Sequence, residues 1–127
     1  MSRETRFLLD STILIDHLSG SENAREFLHD HSTESCVSVI TVNEVLAGSK
    51  ASAVTSHELL LDQFECLPVD ILTAKASAAL RRRHRWKLAD SMQAALALAR
   101  GLQLVTRNHR HFDPAKHPFV VVPYRLQ

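Results

Sequence analysis

The sequence predicts an α/β fold: a three-layer α/β/α sandwich around a central, mainly parallel sheet of about four to five strands. Three observations lead there. Apolar runs such as Phe7-Leu8-Leu9 are short and unbroken rather than alternating, which suits strands covered on both faces. Between them lie stretches of helical periodicity with start and stop residues at their ends, Ser21 and Asp70 as openers and Gly20, Gly48 and Gly101 as closers. Finally, 127 residues at 45% hydrophobic and 23% charged have the size and make-up of one globular domain over 1–127, with core enough to fold without staples.

The elements follow in order. Phe7–Leu9 reads as a buried strand ending at Asp10. Ile13, Leu14, Ile15 and Leu18 are too crowded for an alternating strand and suit a short helix closed by Gly20. Ser21 offers an N-cap to a helix whose one face carries Ala24, Phe27, Leu28 and His31. Val37, Val39 and Ile40 predict a second strand, rich in β-branched residues. Thr41 then starts a helix bearing Val42, Val45 and Leu46, closed by Gly48, and the stretch from about Ser52 to Phe64 is helical again. Leu67-Pro68-Val69 is an extended link, because proline biases the preceding residue away from helix. Asp70 caps an alanine-rich helix that runs to Arg81. Asp90 opens the next, to Arg100, with Met92, Ala95, Leu96 and Ala99 on one side. Leu102, Leu104 and Val105 form a third strand, and Phe119–Val122 a fourth.

Several classes are set aside. Cys36 and Cys66 follow no metal-ligand spacing and read as reduced thiols, Cys36 packed in the core. No apolar run nears the roughly 20 residues of a membrane span. The charged start (Arg3, Glu4, Arg6) leads at once into a strand and is not a signal peptide, so a cytoplasmic protein is expected. A net charge of +1 makes no case for nucleic acid; its distribution is more suggestive. One basic run holds Arg81, Arg82, Arg83, His84, Arg85 and Lys87, and another Arg107, His109, Arg110, His111, Lys116 and His117. Such runs hold phosphates, or else serve as solvated helix ends favoured by the dipole.

Three acids occupy comparable places. Asp10 follows the first strand, Glu44 lies in the first turn of the helix after the second, and Asp90 starts the helix before the third. A parallel sheet gathers such positions at the carboxyl ends of its strands. Converging carboxylates repel unless a cation is bound, and a hard divalent ion, Mg²⁺ or Mn²⁺, prefers oxygen ligands. Each acid also has a structural explanation. Asp10 fits an N-cap, Thr41-x-x-Glu44 is a capping box, and Asp90-x-x-Gln93 is a similar pattern.

Read together, four segments resemble the PIN-domain family in order and spacing, over nearly the whole chain. They are the opening from Phe7 to Asp16, the second motif from Ser38 to Gly48, the third from Leu88 to Ala95 and the fourth from Leu104 to Phe112. The likeness is to the VapC-type branch, ribonuclease toxins of toxin–antitoxin pairs. It implies a PIN-like fold, a Mg²⁺- or Mn²⁺-dependent endoribonuclease, and Asp10, Glu44 and Asp90 as metal-binding, catalytic carboxylates. Thr106 and Asn108 match a polar pair in the same pocket, with Thr12 and either Ser38 or Thr41 as supporting hydroxyls. Asp16 is expected to be structural. His111 departs from the pattern, standing where many relatives have a fourth acid; Asp113 is the nearest acid to it. Arg81, Arg82, Arg85, Arg107 and Arg110 are the candidates to hold RNA. The resemblance further implies a homodimer, an antitoxin partner and no membrane. Against it stand a non-catalytic RNA- or protein-binding module on the same fold, which His111 favours, and a phosphatase or receiver-like domain. The latter wants an acid next to Asp10 and a late lysine where the chain has Arg107.

Overall fold

The computed structural model describes residues 5–125; Arg3 and Glu4 of the charged start lie outside them. Within this range the order is β1 (Phe7–Leu9), α1 (Ser11–Leu18), α2 (Glu22–His31), β2 (Ser35–Ser38), α3 (Val39–Ala47), α4 (Val54–Leu61), β3 (Glu65–Leu67), α5 (Ile71–His84), α6 (Leu88–Arg100), β4 (Gln103–Val105) and β5 (Val120–Val121). The strands form one sheet in the order β3-β2-β1-β4-β5, every neighbouring pair parallel. The expected sandwich is the observed architecture.

Alternation along each strand divides the core. Phe7 and Leu9 of β1, Val37 of β2 and Val105 of β4 face α1–α4, meeting Ile13, Leu14, Leu28, Val45 and Leu61. Leu8, Cys36 and Leu104 face the other way, against Ala94, Leu96 and Ala97 of α6, with Leu80 of α5 packed alongside. Cys36 is buried as expected; its thiol donates to the Phe7 carbonyl, and burial lifts its pKa to about 11. Both strand faces are apolar because both are covered, the reason the runs read as unbroken.

Four sequence expectations shift. Val39 and Ile40 are the first turn of α3, because the Ser38 hydroxyl accepts from the Ile40 and Thr41 amides and starts the helix two residues early. The link at Leu67 is the end of a true edge strand, Glu65–Leu67, paired to β2 through Val37–Cys66 and Ser38–Leu67. The helix predicted over Ser52–Phe64 is a tight turn at 51–53 followed by α4. On α6 the buried face is Ser91, Gln93 and Ala94–Ala97, while Ala99 is exposed. The caps at Ser21 and Asp70 form as predicted, each accepting a backbone amide from Ala24 and Thr73.

Candidate metal centre

β1, β2 and β4 end side by side, so Asp10, Ser38 and Thr106 meet on one rim of the sheet. Asp10 is 5% exposed. Its Oδ2 accepts from Thr106 Oγ1 at 2.8 Å and Thr12 Oγ1 at 3.1 Å. The Asp10 amide donates to Val105, locking the residue between strands. It occupies the N-cap position of α1, but its carboxylate makes no capping bond, which leaves the acid turned to the rim.

Glu44 lies two residues further into α3 than the sequence suggested, because Ser38 caps that helix. Its Oε1 accepts from the Ser11 hydroxyl at 2.9 Å, so the Thr41-x-x-Glu44 capping box is not formed. Thr41 is fully buried beneath the rim instead. Its hydroxyl donates to the Leu9 carbonyl at 2.9 Å and accepts from Gln93 Nε2 at 2.7 Å. Gln93 Oε1 takes the Ser38 hydroxyl at 2.7 Å, so Gln93 is the keystone of β1, β2 and α3 and not a capping partner for Asp90. Asp90 sits in the first turn of α6, which Lys87 rather than Asp90 opens, and its Oδ2 is 3.2 Å from His111 Nδ1.

The acids influence one another through space. Burial raises the pKa of Asp10 above the ordinary carboxylate range, and the Asp90 charge adds to it against the hydroxyl bonds of Thr106 and Thr12. Burial also raises Glu44, opposed by the Ser11 hydroxyl and reinforced by Asp10 and Asp90. Yet among the described residues no three Asp, Glu, His or Cys side chains are drawn together closely enough to enclose a metal ion. Each carboxylate leans on its own hydroxyl or imidazole, Asp10 on Thr106 and Thr12, Glu44 on Ser11 and Asp90 on His111. The donor set nonetheless fits a hard divalent cation, because it is all oxygen and carries negative charge that burial makes costly.

The remaining candidates divide. Thr106 is fully buried, its hydroxyl also accepting from the Asn108 amide at 3.0 Å. The Arg107 amide donates to Thr12 Oγ1, and Thr12, Arg107 and Asn108 line one concavity with His109 and Arg110. The Arg107 side chain is committed elsewhere. Its Nε and Nη2 clasp the Asp16 carboxylate at 2.6 and 3.1 Å, and the Tyr124 hydroxyl donates to the same group at 2.9 Å. Asp16 is thus held in a structural clamp, and two of the Arg107 guanidinium nitrogens are committed to it. Asp113 Oδ1 accepts the Ala115 amide and turns the loop. Arg81, Arg82, Arg85 and Arg110 are exposed. Sequence reasoning missed Ser11, although its place in Asp10-Ser11-Thr12 was a signal, and the central role of Gln93.

The PIN domain family model matches residues 7–117. The chain belongs to the PIN-domain family. Among PIN relatives, ribonuclease VapC10 of Mycobacterium tuberculosis is 31% identical, over 93% of this chain and 96% of that protein. The tRNA(fMet)-specific endonuclease VapC of Shigella flexneri is 29% identical, over 85% and 90%. A solved toxin–antitoxin complex from Klebsiella pneumoniae contains a chain 34% identical with a TM-score of 0.84, over 94% of this chain and 98% of its own. The parallel order with β1 at its centre is therefore that of a PIN domain, and the acid rim lies inside the matched segment.

Proposed function

We propose that this PIN domain is a divalent-metal-dependent endoribonuclease of the VapC type, the toxin of a toxin–antitoxin pair. The observation that carries the reading is the acid rim: Asp10, Glu44 and Asp90 come from three separate elements, and burial and mutual charge make the first two hard to ionise without a counter-ion. Likeness to a protein named as a ribonuclease supports the substrate class.

Asp10, Glu44 and Asp90 would hold Mg²⁺ or Mn²⁺, which when bound lowers the pKa of water and offsets charge on a phosphate. The chain's own residues prepare the site. Thr106 and Thr12 fix one oxygen of Asp10, Ser11 fixes Glu44, Gln93 ties β2 to α3 through Ser38 and Thr41, and Thr41 ties α3 to β1 through the Leu9 carbonyl. Asn108 and Arg110, beside Thr12, border the concavity through which a phosphodiester would approach. Arginines there place the RNA backbone and leave the base sequence unread.

An antitoxin partner is supported by the complex from Klebsiella. A groove in which Ile15, Leu18, Val45 and Ala53 alternate with Ser19, Ser49, Lys50 and His57 suits an amphipathic tail, Ile15 and Leu18 being exposed. A homodimer and a cytoplasmic location complete the proposal, and no described helix is long and apolar enough to cross a membrane.

The test is cleavage of end-labelled RNA by purified, antitoxin-free protein, with Mg²⁺ or Mn²⁺ against excess EDTA, beside Asp10→Asn. Cleavage requiring both the metal and Asp10 is expected. RNA binding without metal-dependent cleavage would instead make the chain a binding module, the reading that the His111–Asp90 contact favours.

A further inference from the structure

α5 and α6 both end in the left-handed conformation that favours glycine. α6 uses glycine there, Gly101 with φ +65°. α5 uses Arg85, with φ +58°, the one described non-glycine residue with positive φ. A helix dipole explains cations in the last turn, Arg81 to Arg83. It favours a cation at the cap as well, but it does not relieve the left-handed backbone there, which glycine would.

The Arg85 side chain lies where two concavities meet. One is lined by Ala78, Arg81, Arg82, Arg85 and Trp86. The other adds His84, Lys87, Arg110 and His111 to the shared Arg85 and Trp86. His111, which lines the second, is also 3.2 Å from Asp90 through its Nδ1. A basic track therefore runs from the acid rim to the last turn of α5, with Arg85 common to both halves. Trp86 fixes its position: it stacks on His84 at 4.3 Å and tilts against buried Phe112 at 4.8 Å, anchoring the turn to the core. Among the described residues Arg81, Arg82, Arg85 and Arg110 take part in no ion pair, so their guanidinium groups are uncommitted.

The geometry points to a phosphate track for one leg of an RNA strand, leaving the acid rim past His111 and Arg110, crossing Arg85 and ending at Arg81 and Arg82. Arg85 holds a strained backbone because its guanidinium bridges the two halves of that track. The occupant's identity rests on the ribonuclease reading; the track rests on the geometry.

The experiment is fluorescence anisotropy of a short labelled oligouridylate over a KCl series in EDTA, with melting curves, for the wild type, Arg85→Gly, Arg85→Gln and Arg85→Lys. Arg85→Gly is expected to melt about 2–4 °C higher, because the cap strain is relieved. It should bind RNA about 3–10-fold more weakly, with the slope of log K against log salt reduced by about 0.7. Arg85→Gln should lose the same affinity without the gain in Tm, and Arg85→Lys should keep the slope. An Arg85→Gly protein with unchanged affinity and slope overturns the track, and a lower Tm for it overturns the strain argument. Wild-type cleavage with Mg²⁺ is scored separately. Cleavage with an indifferent Arg85 sinks the track alone, whereas salt-dependent binding that needs Arg85 without cleavage sinks the nuclease alone.

Discussion

Replacing Arg107 with alanine separates a structural clamp from a substrate contact. The Asp16 side chain is 9% exposed and that of Arg107 31%. Asp16 receives two bonds from the guanidinium and one from Tyr124. Breaking a buried ion pair costs about 3–5 kcal/mol because it strands the partner charge. Here Tyr124 still donates, and water reaches the exposed third of the arginine, which brings the expected loss to about 2–3 kcal/mol. For a domain of this size that is a fall in Tm of about 6–12 °C. The assay is thermal unfolding by circular dichroism at neutral pH for Arg107→Ala, Asp16→Asn and the double variant. The double should melt little below the worse single, giving a coupling of about 1.5–3 kcal/mol. A Tm for Arg107→Ala within about 1 °C of wild type, with RNA affinity alone reduced, would refute the clamp and restore Arg107 as a phosphate ligand.

Four further outcomes are expected. Asp10→Asn should abolish the rise in Tm that millimolar Mn²⁺ gives the wild type, since linkage needs a site; a full rise in the variant would remove Asp10 from the ligand set. Because Asp10 and Glu44 are raised in the fold, the folded state holds their protons more tightly than the unfolded one. The metal-free protein should therefore lose stability as pH climbs from the ordinary carboxylate range through those raised values, while the gain from Mn²⁺ grows; melting with and without Mn²⁺ across that range checks the sign. Thr106→Val removes a hydroxyl from Asp10 and should weaken Mn²⁺ affinity about 10–100-fold by calorimetry. Gln93→Leu leaves Ser38 and Thr41 without their buried amide partner and should cost about 2–4 kcal/mol in urea unfolding.

β1 and β5 were legible because covering both faces removes alternation, so each reads as an unbroken apolar run. The end of β2 and the whole of β3 were less so. Val39 and Ile40 carry β-branched side chains and read as strand; what makes them helix is one hydroxyl, Ser38, accepting two amides. β3 was hidden because Glu65 and Cys66 are exposed at the sheet edge and carry no burial signal. At the rim, the three carboxylates could be named from their places after strands and in first helical turns. Their partners could not, because a hydrogen bond between Ser11 and Glu44 or between Gln93 and Thr41 depends on how helices seat on the sheet, 33 and 52 residues apart in the chain. The Arg107 clamp was hidden for the same reason: in sequence the residue belongs to a basic run, and only the fold sets it on Asp16.

The central place of β1 has a consequence for when the molecule becomes dangerous. β1 pairs with β2 and with β4, and Asp10 takes its shorter hydroxyl bond from a residue 96 positions later. Pairings so distant in the chain form late. A nascent chain that has reached only Gly101 possesses all three acids but lacks β4, Thr106 and the clamp on Asp16. Its Asp10 lacks the Val105 and Thr106 partners that hold it in the complete sheet. Competence therefore waits on residues beyond Gly101, which bring β4, Thr106 and the Arg107 clamp to acids that precede them in the chain.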